Sequence, residues 1–189
     1  MKQILITLLL AALSLTASAQ SAEKLYKEGK DLYDAKKYEQ AVPKLKAAAE
    51  KGHKKAQYRL GRCYEKGRGV AENDAMAVQW YQKAANQGYH KAQYQLGKAY
   101  KDGEGVEKDR KKAIQLFQQA ARQENADAQY QLGKAYMKGK GVNADEKKAR
   151  TYLRKAVKNE KGGDKITAKI KKDAADGDED AKRMLTLIQ

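Results

Sequence analysis

The 189-residue sequence predicts an all-α fold, an α/α solenoid of helix–turn–helix repeats closed by a C-terminal capping helix region. Three observations carry that expectation. One set of residues recurs three times at a fixed period, and periods of this size mark helical arrays. Within each copy the apolar positions follow the 3.6-residue spacing of an amphipathic helix. Between the apolar stripes stand Gly-containing turns followed by Asn or Asp, residues that stop one helix and start the next. A single Pro and a mean hydropathy of -0.92 argue against a membrane bundle.

Taken in order, the chain opens with an address. Lys2 precedes an apolar run from Ile4 to Leu15, and Ala17-Ser18-Ala19 offers the small residues that a signal peptidase accepts. The run is short of the roughly 20 residues that a membrane span requires. Residues 1–19 are therefore expected to be a cleavable signal peptide, with the mature chain starting at Gln20 in the periplasm or outside the cell and keeping no transmembrane anchor. Residues 20–53 read as a first helix pair, with Leu25, Tyr26, Gly29 and Tyr33 before the turn Asp34-Ala35-Lys36-Lys37 and Tyr38, Ala41, Leu45 and Ala48 after it. Pro43 falls near the start of the second helix, where it is tolerated with a mild bend.

Three units follow, spanning 54–90, 91–126 and 127–158. They carry Ala56-Gln57-Tyr58-Arg59-Leu60-Gly61, Ala92-Gln93-Tyr94-Gln95-Leu96-Gly97 and Ala128-Gln129-Tyr130-Gln131-Leu132-Gly133, each 36 residues after the last. Ala56, Leu60 and Tyr64 form one stripe of the first helix, and Gly61 beside it lets the partner helix approach closely. Gly67 and Gly69 supply the positive φ that ends that helix and turns the chain. Asn73, Asp109 and Asp145 are the expected N-caps of the second helices. There Ala77, Trp80, Tyr81, Ala84 and Ala85 face inward, while Gln79, Gln82 and Lys83 face away. Further on, Glu124 and Glu160 stand where Gly52 and Gly88 stand in earlier units, so those two turns are expected to differ. Residues 159–189 read as a loop over Asn159–Lys165, a helix over Ile166–Ala175 and a last one around Ala181–Leu185, covering the apolar end of the array.

The pattern A-Q-Y-x-L-G-x-x-Y-x-x-G-x-G-V, then Asn or Asp and a closing Ala-Ala, resembles the Sel-one-like repeat family, a branch of the tetratricopeptide-like helical repeats. Residues 22–53 are more similar to a plain tetratricopeptide unit. The resemblance implies a right-handed superhelix whose first helices line a concave groove. It also raises a hydrolase reading, since some secreted members are described as cysteine-rich β-lactamase-like proteins. Those carry Cys pairs in each repeat, and this chain has one Cys in all.

Catalytic and metal chemistry find little material. One Cys excludes a disulfide framework and a Cys-based zinc module. Cys63 aligns with Ala99 and Ala135 and reads as a buried small hydrophobe. His53 and His90 fall at non-equivalent places in inter-repeat turns and read as solvated. The G-x-G-V loops follow helices and lack the Lys-Ser/Thr of a phosphate loop. No enzyme activity and no cofactor are expected.

Binding is better provided for. Tyr58 lies about 200° around the helix from Leu60, so it points away from the stripe of its own helix pair. Tyr94 and Tyr130 repeat it, and Tyr26 is its equivalent in the first unit. One turn further come Lys30, Arg62, Lys98 and Lys134. Such a ladder suits an extended peptide with acidic groups, rings packing on it and cations pairing with its carboxylates. It equally suits Tyr residues that belong to the repeat's own packing beside solvated cations, and both readings stand at this point. The formal net charge is +16, and residues 147–172 hold 11 Lys or Arg against Glu160 and Asp164. The sequence thus predicts a non-catalytic adaptor for a protein or peptide partner. Association with anionic envelope components is the alternative, and nucleic acid is not expected as a partner of an exported chain.

Overall fold

A computed structural model describes residues 21–189, and the expected signal peptide lies outside the described residues. These form ten helices and no strands: α1 at 21–34, then α2 (Tyr38–Glu50), α3 (Lys54–Glu65), α4 (Asp74–Asn86), α5 (His90–Asp102), α6 (Arg110–Arg122), α7 (Ala126–Lys138), α8 (Glu146–Val157), α9 (Gly163–Ala175) and α10 (Glu179–Ile188). They divide into two compact units, the first ending at Gln87 and the second running Gly88–Gln189.

Successive helices pair because each carries one apolar stripe and must bury it. In the first unit Leu45, Leu60, Cys63 and Trp80 share a core with Tyr26 and Ala41. In the second, Phe117, Leu132 and Leu153 are joined by Ile166, Ile170, Met184 and Leu187 from α9 and α10. The two C-terminal helices thereby cover the apolar surface that the α7–α8 pair presents beyond the last repeat.

The helix starts and the close approach fall where the sequence puts them. Asn73, Asp109 and Asp145 accept from the backbone N–H of Met76, Lys112 and Lys148, each at 2.9 Å. A Cβ on Gly97 would stand 2.6 Å from the Phe117 ring, and Gly61 and Gly133 have the same relation to Tyr81 and Leu153. The second glycine of the G-x-G-V turn has a further role. Gly141, at φ +82, lies where a Cβ would reach within 2.8 Å of the Arg110 carbonyl oxygen, so the turn rests directly on the start of the preceding repeat's second helix.

Two local expectations are corrected and a third holds. Glu124 does not change its turn: it adopts φ 58, in the left-handed region with Gly52 and Gly88. Its N–H bonds to the Ala121 carbonyl and that of Asn125 to the Ala120 carbonyl, as Gly52 and His53 do with Ala49 and Ala48. The two C-terminal hydrogen bonds hold a non-Gly residue in a conformation that costs about 1–2 kcal/mol. At Glu160 the turn does differ, with Asn159 Oδ1 accepting from the Lys161 N–H and the Asn159 carbonyl from the Gly163 N–H. Helix α9 then begins at Gly163, earlier than the loop reading over Asn159–Lys165, because a glycine at the first helical position leaves the turns beyond it intact.

The histidines are not solvated either. His53 is the N-cap of α3: its Nδ1 accepts from the Ala56 N–H at 3.1 Å, which leaves the ring proton on Nε2 to be donated to the Glu23 carboxylate at 2.8 Å. His90 Nδ1 accepts from Asn125 Nδ2 at 3.1 Å. Burial, with Lys91 and Lys161 nearby, lowers the His90 pKa and favours the neutral ring that this bond needs.

Candidate functional site

The predicted ladder divides into packed rings and exposed cations. Tyr26 is 8% exposed and Tyr130 5%, and both belong to the cores of their units. Placing them on an open binding face is therefore corrected. The 200° argument holds for one helix pair, but in a stacked array the side turned away from the partner helix meets the next helix along. Tyr26 stacks on His53 with ring centroids 4.3 Å apart, and its hydroxyl accepts from Arg59 Nε at 3.4 Å. Tyr130 is covered from the C-terminal side, where burial together with Asp173 and Asp178 pushes its hydroxyl up to about 12. Tyr58 and Tyr94 are half-buried, each with its ring centroid 5.9 Å from the ring across its own helix pair, Tyr81 and Phe117 respectively.

The basic members behave differently. Lys30 pairs with Asp34 at 2.7 Å and Arg62 with Glu65 at 3.4 Å. Lys134 sits over the Tyr130 ring at 5.4 Å and has no ion pair with a carboxylate among the described residues. Burial lowers its pKa, and the neighbouring Lys138 cation pushes the same way. An anion brought to Lys134 would offset both effects by its opposite charge.

Around Lys134 the second unit carries a cleft of about 250 Å³ between the C-terminal ends of α5 and α7 and the N-terminal half of α6. Its walls supply Lys101, Lys108, Arg110, Lys134, Lys138 and Lys140 against Asp102 alone, and its floor is Ala113, Ile114, Phe117 and Ala135. Lys101 is paired with Asp102 at 3.4 Å and Lys138 with Asp180. The other four cations have no ion pair with a carboxylate among the described residues. Lys98, the other second-unit cation of the ladder, does not line the cleft.

Sequence reasoning found Lys134 and missed the rest, because Lys101, Lys108 and Arg110 have no cationic counterparts one period earlier or later. It also missed Gln57, Gln93 and Gln129, which are buried. Gln57 Nε2 donates to the Ala49 carbonyl at 3.0 Å while its Oε1 accepts from Gln87, and Gln93 accepts from Gln123 at 2.9 Å. The Gln of each A-Q-Y segment was the available signal. It marks a polar tie built into every repeat.

Among the described residues no group of three or more His, Cys, Asp or Glu stands together as a metal site. Burial pushes the Cys63 thiol up to about 11, which keeps it protonated at neutral pH. No described helix is long and apolar enough to cross a membrane.

Paired helices, a recurrent close-contact glycine and capped turns define a helical-repeat protein of the α/α solenoid class. The particular repeat is the Sel1 repeat, matched over residues 54–89, 90–125 and 126–160, and the chain belongs to that family. Members of the family typically mediate protein–protein interaction and are generally non-catalytic scaffolds. Among solved structures the chain is similar to a Sel1 repeat protein from Oxalobacter formigenes, at 32% identity and a TM-score of 0.68 over 82% of this chain and 72% of that one. It is also similar to c5321, a protective antigen of uropathogenic Escherichia coli with an SLR fold, at 35% identity and a TM-score of 0.72 over 80% of this chain. It spans 33% of that antigen's length. No curated protein sequence matches the chain.

Proposed function

We propose that this protein is an exported, non-catalytic adaptor that holds a protein partner at the cationic cleft of its second unit. The observation that supports this reading is the cleft itself: four cations without a carboxylate partner among the described residues, gathered over an apolar floor, on a scaffold whose thiol and histidines are engaged in packing and capping. Of the predicted groove, the tyrosines serve chiefly the cores, and Lys134 is the member that reaches the cleft. Export rests on Lys2, the Ile4 to Leu15 run and the Ala17-Ser18-Ala19 site.

The test is purification of the tagged full-length protein from an envelope fraction at low and high salt, with intact mass measured on the product. A chain starting at Gln20 with a discrete protein partner that survives high salt supports the reading. A cytoplasmic chain retaining Met1 overturns the export half, and recovery of no discrete protein partner even at low salt overturns the adaptor half. The second outcome favours anionic envelope polymers, for which residues 147–172 offer 11 mostly exposed cations in a salt-sensitive surface.

A further inference from the structure

We infer that the α5–α6–α7 cleft seats an acidic peptide segment carrying one aliphatic side chain, its carboxylates held by Lys108, Arg110, Lys134 and Lys140 and its side chain lying over Ile114 and Ala135. This rests on the adaptor reading and names the chemistry of the partner's contact.

Size comes first. Small-molecule and cofactor sites occupy about 300–1,000 Å³, and the cleft offers about 250 Å³. That is room for a side chain or two from a segment lying across it. Charge comes second. Cations crowded on one edge repel one another, and carboxylates relieve that repulsion through charge-assisted hydrogen bonds.

The origin of these cations points the same way. One period before Lys101, Lys108 and Arg110 the chain has Glu65, Glu72 and Asp74, and one period after it has Met137, Ala144 and Glu146. Repeat duplication supplies none of the three. The helix frame is copied unchanged while the charge at this edge is reversed in the middle repeat alone, which is the pattern of a local binding requirement. A featureless polyanion would need no apolar floor and would meet more exposed charge along residues 147–172.

The experiment uses the full mature chain and fluorescence anisotropy at about 0.15 M salt, where long-range attraction is largely screened. The probe is a labelled nonapeptide of Glu and Ser with one central Leu, beside analogues with Gln for every Glu and Ala for the Leu. Lys108→Glu with Arg110→Asp installs the first repeat's residues and is expected to weaken binding about thirtyfold, since like charges then face the peptide. Lys140→Glu, an exposed change outside the helices, is the second variant, and unchanged thermal melting confirms that both fold. The Gln peptide is expected not to bind, and the Ala peptide to bind about fivefold more weakly through lost apolar contact. Lys147→Gln with Lys171→Gln is expected to leave affinity unchanged.

Equal binding of the Glu peptide to the wild type and both cleft variants overturns the inference. So does loss of binding in the Lys147/Lys171 variant, or displacement by inorganic polyphosphate with no penalty for the Ala peptide. If an envelope partner is captured equally by wild-type and cleft-variant protein, the adaptor reading stands and this cleft assignment falls. If the peptide binds as expected but no envelope protein is captured, the adaptor reading is what fails.

Discussion

Equivalent edges of the two units carry opposite chemistry on the same frame. In the first, Tyr81 reaches across its helix pair and donates its hydroxyl to Glu65, which also pairs with Arg62 at 3.4 Å. Burial raises the Glu65 pKa, but Tyr81, Lys66 and Arg62 outweigh it and hold the carboxyl below its usual value. In the second unit Phe117 stands for Tyr81, Lys101 for Glu65 and Lys98 for Arg62. Hydroxyl and acceptor are lost together, so no buried donor is orphaned, and an internally neutralised edge becomes a cationic one. The close approach across the pair is unchanged: a Cβ on Gly61 or Gly97 would stand 2.6 Å from the facing ring in either unit. Packing fixes the frame, and the polar pair riding on it is exchangeable only as a pair.

The largest expected effect tests why equivalent tyrosines differ in burial. Tyr130→Ala should cost about 3–5 kcal/mol, the range for large aromatic truncations in a core, and roughly twice what Tyr58→Ala costs. Denaturant unfolding with hydrogen exchange along α7 and α3 measures both. Equal losses would show that the covering by the C-terminal helices is not what separates them. Tyr130→Phe sharpens the point: the Tyr130 hydroxyl is buried without a hydrogen-bond partner among the described residues, so its removal should leave stability unchanged or slightly raised.

Next comes the shared frame. Gly97→Leu drives a side chain into the Phe117 ring, and overpacking of this kind typically costs about 1–3 kcal/mol. The opposing gain in helix propensity is below about 1 kcal/mol. A thermal melt at or above wild type would break the claim that both units rest on the same close approach. Gly61→Leu against Tyr81 should cost a similar amount.

The smallest effect separates the two inter-repeat turns built on Gly52 and Glu124. Glu124→Gly should stabilise the protein by about 1 kcal/mol by relieving the left-handed backbone. The carbonyl that accepts from Asn159 Nδ2 at 2.8 Å is kept. A change of the opposite sign, read from the denaturant midpoint, would show that the Glu124 side chain itself holds that turn.

The sequence by itself determined the helical frame. Period, apolar stripes, N-caps and the close-contact glycines are local properties: each is decided by residues within one helix pair, where 3.6-residue geometry and backbone hydrogen bonding leave few alternatives. It also placed Cys63 correctly, through the alanines that replace it elsewhere. Tertiary structure decided what lies on the far side of each first helix. Tyr26 and Tyr130 looked outward on a helical wheel because a wheel has no neighbouring repeat, and stacking supplied one. The Lys134 cleft was illegible for the same reason: it gathers cations from α5, α6, α7 and two turns, up to 39 residues apart. Only the packing of those helices brings their charges to one edge.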